Sequence, residues 1–340
     1  MKILVTGAAG FIGYHLCEQY LAQGYHVVGL DNLNDYYDVN LKYGRLTQLG
    51  FNQSEIKPKV LVESRLHGNQ CTFIQLDLED KEGIAHLFSI EKFDLVCNLA
   101  AQAGVRYSLE QPFQYVDSNV TGFLSILESC RHFGVKKLIY ASSSSVYGLN
   151  EKIPFSVHDN VDHPISLYAA TKKTNELMAY TYSHLFEIQM VGLRFFTVYG
   201  PWGRPDMAMF LFTDAILNNR PIQVFNEGNL SRDFTYVNDI VGGMMTITEA
   251  FENNKISAPY SLYNIGNSKP VPLLSFIQAI EKATGKTAIK EMLPMQPGDV
   301  ERTWADVTGL IQDFNYTPIT SVEEGVAAFV NWYKGYYNVK

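Results

Sequence analysis

The sequence predicts an α/β fold, a doubly wound parallel sheet with a smaller C-terminal domain. Three features of its 340 residues carry that prediction. Short β-branched runs alternate with longer amphipathic stretches as far as Gly200, and strand–helix–strand repeats of this kind wind right-handed crossovers. The runs are nearly continuous in apolar residues, as strands covered on both faces must be. A glycine-rich turn, Thr6-Gly7-Ala8-Ala9-Gly10-Phe11-Ile12-Gly13, joins the first run to the first amphipathic stretch.

Taken in order, strands are expected at 2–6, 25–31, 71–76, 93–98, 137–142 and 188–195. Helices are expected between them at 11–23, 81–90, 112–133 and about 166–186. The crossover from Asn32 to Gln70 is long, polar and aromatic, and should carry extra helical turns. After Gly200 the alternation stops. Pro201-Trp202-Gly203-Arg204-Pro205 reads as a loop, followed by a helix at 207–218 and a strand at 222–225. The expected division is a Rossmann-type domain over 1–198, with a returning segment at about 232–262, and a second domain over 199–231 and 263–340.

Composition narrows the function. With 27 Lys and Arg against 35 Asp and Glu, the net charge is −8, which argues against sequence-independent nucleic-acid binding. An anionic ligand must therefore meet locally placed basic residues. Cys17, Cys71, Cys97 and Cys130 show no Cys-x-x-Cys spacing and sit in apolar segments, as free thiols of a reducing compartment do. No apolar run reaches the roughly 20 residues of a membrane span, and the first strand is too short for a signal segment. A soluble cytoplasmic protein without membrane or nucleic-acid partners is expected.

The glycine turn lets backbone N–H groups approach a pyrophosphate at a helix N-terminus. Asp31 ends the second strand, where a carboxylate accepts hydrogen bonds from the adenosine ribose hydroxyls and repels a 2′-phosphate. No arginine follows it closely, so NAD is favoured over NADP, with Asn32 beside it. Asp77, followed by Leu78, ends the third strand and either lies near the adenine or caps a turn. Ala100-Ala101-Gln102, after the fourth strand, are small enough to let a cofactor lie close to the backbone.

Tyr168 and Lys172 are four apart on an expected helix and share one face. A nearby lysine favours the tyrosinate and makes a usable proton acceptor. Tyr336 and Lys340 repeat the spacing by chance; Tyr168 is singled out by Ser142-Ser143-Ser144-Ser145-Val146-Tyr147-Gly148, which ends the fifth strand just before it. Those hydroxyls stand at the carboxyl edge of the sheet, where ligands bind in open α/β folds.

With these motifs assembled, the chain resembles the extended short-chain dehydrogenases/reductases over essentially its whole length. The segments that carry the resemblance are TGxxGFIG, NLAAQAGVRYS, SSSSVYG, YAATK, RFFTVYGPWGRPDMA, RDFTYVND and PGDVERTWAD. Within that family it is most similar to the UDP-glucuronate 4-epimerases. The resemblance implies that Tyr168 is the base and acid, that Lys172 assists it and binds the nicotinamide ribose, and that Ser143 holds the reacting O4. It also implies that Asn119 supports the site, that Arg232 grips a nucleotide diphosphate with Arg302 as a second candidate, and that Asp239 is structural. Gln296 stands where UDP-glucose epimerases often have arginine. Family members are usually homodimers that pair helices corresponding to 112–133 and 166–186.

Departures choose among subfamilies. Related dehydratases and decarboxylases carry acidic residues where this chain has Ser144 and Ser145. Thr197 replaces an asparagine common in UDP-glucose epimerases, and Arg204 follows it; hydroxyls and an arginine suit a sugar carboxylate. The expected substrate is thus a UDP-sugar, with UDP-glucuronate and UDP-galacturonate interconverted and CO₂ retained. Alternatives are a neutral UDP-hexose epimerase and a non-catalytic NAD sensor. His158-Asp159-Asn160-Val161-Asp162-His163 has metal-like composition, but it lies in a proline-flanked loop with no third His or Cys, and no metal is expected.

Overall fold

The computed structural model describes residues 1–295 and 300–339. In chain order the elements are β1 (Lys2–Thr6), α1 (Phe11–Ala22), β2 (His26–Asp31), α2 (Val39–Gln48), β3 (Leu61–Ser64), β4 (Gly68–Gln75), α3 (Lys81–Glu91) and β5 (Leu95–Asn98). Next come α4 (Tyr107–Glu110), α5 (Pro112–Tyr115), α6 (Gly122–Phe133), β6 (Lys137–Ser143), α7 (Leu167–Phe186), β7 (Gln189–Phe195) and β8 (Thr197–Tyr199). The remainder is α8 (Ala208–Leu217), β9 (Ile222–Phe225), β10 (Ser231–Arg232), β11 (Phe234–Tyr236), α9 (Val237–Glu252) and β12 (Tyr260–Ile265). It closes with β13 (Val271–Pro272), α10 (Leu273–Thr284), β14 (Lys290–Leu293), α11 (Thr308–Phe314) and α12 (Val322–Tyr337).

Eight strands form the main sheet in the order β12-β7-β6-β5-β1-β2-β4-β3. The pairs β1–β2, β1–β5, β2–β4 and β5–β6 are parallel, and β3–β4 is antiparallel. Strand order therefore reverses about β1, which opens a crevice at the carboxyl ends of β1 and β5. The doubly wound sheet is the one the sequence predicts.

Two local expectations need correction. The Asn32–Gln70 crossover does carry helix α2, but it also contributes edge strand β3, whose Leu-Val-Glu-Ser sequence lacks the apolar continuity of a central strand. The expected helix at 112–133 is interrupted: between α5 and α6, residues Val116–Thr121 form a π-helical turn. A widened turn frees backbone groups from the regular ladder, and such turns recur at functional sites.

The chain divides into two compact units. The first comprises Met1–Gly148, Asn160–Arg194 and Met244–Tyr263; the second comprises Leu149–Asp159, Phe195–Gly243 and the chain from Asn264 onward. These boundaries differ from the expected ones in three places; the first unit's stretch ends at Arg194 rather than at 198. Leu149–Asp159 joins the second unit because Phe155 N–H donates to Trp304 O at 2.7 Å and Asp306 N–H donates to Phe155 O at 3.0 Å. The returning segment starts at Met244, within α9, rather than near 232.

Burial explains the stability of the first unit. Leu4, Val28, Val96, Phe123, Ile126, Leu138 and Ile188 belong to one apolar cluster that covers the sheet. In the second unit, Phe234 and Phe276 stack at 3.8 Å, while Phe210 packs edge-on against Phe329, Trp332 and Tyr333. Among the described residues, no helix is long and apolar enough to cross a membrane.

Candidate active site

The glycine turn is built by close approach. Gly7 has φ +73°, and a Cβ there would lie 2.9 Å from Ala100 N; a Cβ on Gly13 would lie 2.1 Å from Gly7 O. Only glycine lets α1 start this close to β1 and to the segment after β5. Thr6 reinforces the junction: its hydroxyl donates to Asn98 Oδ1 at 2.8 Å and accepts from the N–H groups of Leu99 and Ala100 at 3.1 Å. The N-cap of α1 is Gly10, with no side-chain cap and no acidic residue in the first turn, so the positive end of the helix is uncompensated there. Phe11 is buried and Ile12 half-buried beside it.

Asp31 is buried and accepts from Leu33 N–H at 2.9 Å, with Lys42 Nζ 3.6 Å away. Lys42 and Arg45, both on α2, are buried cations that sequence spacing did not single out. Lys42 donates to Asn34 Oδ1 at 2.9 Å, and Arg45 donates to Ala9 O at 2.8 Å, tying the crossover to the glycine turn. Asn32 donates to Asp77 Oδ1 at 2.9 Å, so the structure brings those two together; Leu78 is buried next to them. Ala100 and Ala101 are half-buried, and Gln102 is buried.

Asn119 sits in the π-turn and is 2% exposed. Its Oδ1 accepts from Gln102 N–H at 2.7 Å, and its Nδ2 donates to Gln102 O and to Thr171 Oγ1, both at 3.1 Å. Its own carbonyl, released by the π-turn, accepts from Asn175 Nδ2 at 2.6 Å. Asn119 thus fastens the segment after β5 to α7.

Helix α7 starts at its N-cap Ser166, whose hydroxyl accepts from Ala169 N–H at 3.1 Å. In the first turn, Tyr168 is half-buried and packs edge-on against Tyr115, with ring centres 6.1 Å apart. Tyr115 in turn donates to Ala103 O at 2.7 Å. Lys172 is buried, donates to Ala141 O on β6 at 2.9 Å, and stands 6.0 Å from the centre of the Tyr168 ring. Burial pushes the Lys172 ammonium down to about 8. Ser143 ends β6 as the N-cap of the 3₁₀ turn Ser144–Tyr147, accepting from Ser145 N–H at 3.1 Å. That bond leaves the Ser143 O–H able to donate. Ser144 and Ser145 are half-buried on the same turn, which packs against α7.

The remaining sequence-derived residues lie in the second unit. Thr197 on β8 pairs with Phe234 on β11, and its N–H donates to Asp233 O at 3.2 Å. Arg232 on β10 donates to Ser231 O at 3.0 Å and to Glu301 O at 3.1 Å, and Arg302, exposed, bridges to Ser231. Arg204 lies in the loop after β8 with its guanidinium engaged by Asp206, at 3.0 and 2.5 Å. Asp239 accepts from Ile319 and Thr320 N–H groups at 3.3 and 3.1 Å. Gln296 and Lys340 lie outside the described residues. In the His158–His163 loop, Asp159 takes Lys152 at 2.9 Å and Asp162 takes Lys173 at 3.7 Å.

Sequence reasoning missed Asp233. Fully buried, it accepts from the N–H groups of Asn267, Ser268 and Ala305 and from Thr235 Oγ1, at 2.8–3.1 Å, and burial raises its carboxyl above the ordinary range. An acidic residue directly before the strand Phe234–Tyr236 was the available signal.

The family pattern described as NAD dependent epimerase/dehydratase matches residues 3–266. The chain belongs to that family. It is similar to Protein CapI of Staphylococcus aureus, 51% identical with 99% of each chain covered. It is 44% identical to a probable UDP-glucuronate 4-epimerase of Rhizobium meliloti, covering 99% of this chain and 98% of that one. Among solved structures it resembles the UDP-glucuronic acid 4-epimerase of Bacillus cereus in complex with UDP-glucuronic acid and NAD. That match has a TM-score of 0.87 at 36% identity and covers 99% of this chain and 100% of that one.

The site fits the NAD that gives the epimerase/dehydratase family its name. The cradle at Gly7 has no space for a Cβ, the α1 N-terminus offers uncapped N–H groups, and Asp31 ends β2 with a buried carboxylate. Together these match the donor, charge and acceptor needs of a pyrophosphate and an unphosphorylated ribose.

Proposed function

We propose that this protein is an NAD-dependent nucleotide-sugar 4-epimerase that interconverts UDP-glucuronate and UDP-galacturonate through a 4-keto sugar. The observation that carries the reaction type is the α7 face, where Tyr168 and a buried Lys172 stand together with Lys172 tied to β6. The named relatives support the uronate as substrate.

NAD⁺ held by these residues would supply the acceptor for the C4 hydride and the donor that restores it to the opposite face of the sugar. Tyr168 takes the O4 proton and gives it back. Lys172 keeps its proton below a pH of about 8, and its cation favours the tyrosinate. Ser143 donates to O4 and orients it for proton transfer. Gly7, Gly10, Phe11, Ile12 and Gly13 hold the pyrophosphate, Asp31 and Asn32 the ribose, Asp77 and Leu78 the adenine side, and Ala100 to Gln102 the nicotinamide half. Ser144 and Ser145 hydrogen-bond the sugar carboxylate without supplying an acid. In the second unit, Arg232 and Arg302 are assigned to the diphosphate, and Thr197 and Arg204 to the carboxylate.

A cytoplasmic homodimer is the matching assembly. All four cysteines are buried free thiols. Phe113, Val116 and Leu124, spaced along one side of α5 to α6, are exposed, as are Leu177 and Tyr180 on α7, which suits a second copy. Light scattering of the purified protein checks the mass.

The test of function is NMR of the protein incubated with UDP-[6-¹³C]glucuronate, and separately with UDP-glucose. The C4 epimer with the label retained is expected. UDP-pentose and labelled CO₂ as main products, or turnover of UDP-glucose alone, would overturn the uronate epimerase reading.

A further inference from the structure

Glu176 follows Lys172 by four residues and Tyr168 by eight, so the three side chains leave α7 on one face. It is 3% exposed. Its Oε1 accepts from Ser142 Oγ at 2.7 Å and from Arg194 Nε at 2.8 Å, and its Oε2 accepts from Arg194 Nη2 at 2.8 Å. Arg194, on β7, is 1% exposed, and its guanidinium carbon stands 4.8 Å from the centre of the Tyr147 ring. Lys173 approaches the carboxylate from the preceding turn, 3.9 Å away.

The two contacts made by this ion pair have a meaning in the chain. Ser142 directly precedes the N-cap Ser143, and Tyr147 is the last residue of the turn that presents Ser144 and Ser145. One end of the turn is held through the Ser142 hydroxyl to Glu176, and the other through the Tyr147 ring to Arg194. The pair therefore links the serine turn to the same helix that carries Tyr168 and Lys172. Stability alone gives little reason for it. Removing two charges from water costs so much that a well-packed apolar pair of similar volume is often as stable or more so. A bidentate ion pair does offer fixed geometry, which apolar contacts do not.

We propose that Glu176 and Arg194 are positioning residues, a buried clamp that sets the serine turn against the Tyr168–Lys172 face. Neither touches the substrate. They act through Ser142 and Tyr147, and they govern the rate of the chemical step rather than binding. The inference deepens the epimerase reading and rests on it for the identity of the reacting hydroxyls.

The experiment uses full-length protein and the double variant Glu176→Met/Arg194→Leu, with each single variant beside it. Singles leave one buried charge unpaired and should melt at lower temperature; the double variant should recover the wild-type Tm. Despite that recovery, its kcat should remain about 10²-fold below wild type, the scale of a displacement near 1 Å at a reacting group. Its KM and its content of bound NAD should be unchanged. Wild-type kcat in a double variant of wild-type Tm would refute the clamp, and so would a raised KM with normal kcat. Ser142→Ala supplies a second arm that leaves the ion pair in place. It should also lower kcat at constant KM, with Ser142→Thr restoring it, and a normal kcat in Ser142→Ala would equally refute the proposal. Rates are taken as variant-to-wild-type ratios on whichever UDP-sugar the wild type turns over. Failure on UDP-glucuronate thus tells against the uronate reading alone, and the ratios still decide the clamp.

Discussion

The charged groups given a role at the site are held in opposite ways in the two compact units, although the second unit also buries Asp233. In the first, Lys172, Glu176, Arg194, Lys42 and Arg45 are all buried, and each is tied to a backbone carbonyl or a side chain on another segment. In the second, Arg204 and Arg232 are half-buried and Arg302 is exposed, on a loop, a two-residue strand and an isolated bridge. A buried, tethered group is oriented before substrate arrives, so its effect falls on the barrier. An exposed arginine reorganises on binding, so its effect falls on affinity and selectivity. The first unit should thus be read in kcat and the second in KM.

The strongest way to break that contrast is Tyr168→Phe. It keeps the ring against Tyr115 and removes the proton acceptor, so epimerisation should fall by at least about 10²-fold. Bound NAD, measured after denaturation, should stay at the wild-type amount. Near-normal turnover would remove Tyr168 from the chemistry and with it the case for a pre-oriented first unit.

The second unit offers the complementary test. Arg232→Ala deletes the cation proposed to grip the diphosphate. A hydrogen bond to a charged group contributes about 1.5–3 kcal/mol, so KM should rise roughly 10- to 10²-fold while kcat changes little. Calorimetry with UDP alone should show the same loss. A fall in kcat at constant KM would place Arg232 with the pre-organised groups instead.

Legibility in the sequence follows the same divide. Periodicity and glycine spacing revealed the parallel sheet, the glycine turn, Asp31, and the Tyr168–Lys172 pair, because these depend on neighbours in the chain. Glu176 and Arg194 stayed hidden because their pairing is tertiary, although a carboxylate continuing the Tyr168–Lys172 stripe and an arginine in the apolar strand β7 were visible hints. Lys42 escaped notice because a helix in a polar crossover reads as solvated surface until one face of α2 is seen to be buried. The π-turn was illegible for a different reason: residues 112–133 have good helical periodicity, and the break falls at Asn119, whose partners are tertiary. In the second unit Ile222–Phe225 was legible as a strand, but the other strands, of two to four residues, carry too little pattern to recognise.

Lys172 sharpens the comparison through pH. Burial holds its ammonium down to about 8, so the cation that favours tyrosinate is present below that pH and lost above it. In a profile of kcat/KM, the alkaline limb should bend near pH 8 and then fall about tenfold per pH unit. The same shift sets a stability slope. The unfolded chain binds this proton more readily than the folded one, so between the unfolded value of 10.5 and about 8 stability rises with pH. A kcat/KM flat through pH 9 would show that the charge on Lys172 is not needed.

The smallest expected effect concerns Arg204, a partly exposed loop arginine of the second unit. Its guanidinium makes two bonds to Asp206, two residues along the same loop, and both side chains are partly exposed, at 24% and 31%. A uronate carboxylate presents the same two oxygens in the same plane as Asp206, so if Arg204 receives it, the two would compete for one fork. Exposed ion pairs are worth only about 0.2–1 kcal/mol, so displacing Asp206 costs little. Asp206→Asn weakens the internal competitor while keeping its shape. KM for UDP-glucuronate should fall, by up to about fivefold, and KM for any residual UDP-glucose activity should not move. Arg204→Ala should do the reverse, raising KM for the uronate alone. The two variants together separate recognition from loop architecture. If Arg204 only shapes the loop, both changes will loosen it, and KM will rise in both variants and for both sugars. Opposite movement in the two variants, confined to the uronate, would identify Arg204 as the carboxylate receptor and Asp206 as the group that occupies it until substrate binds.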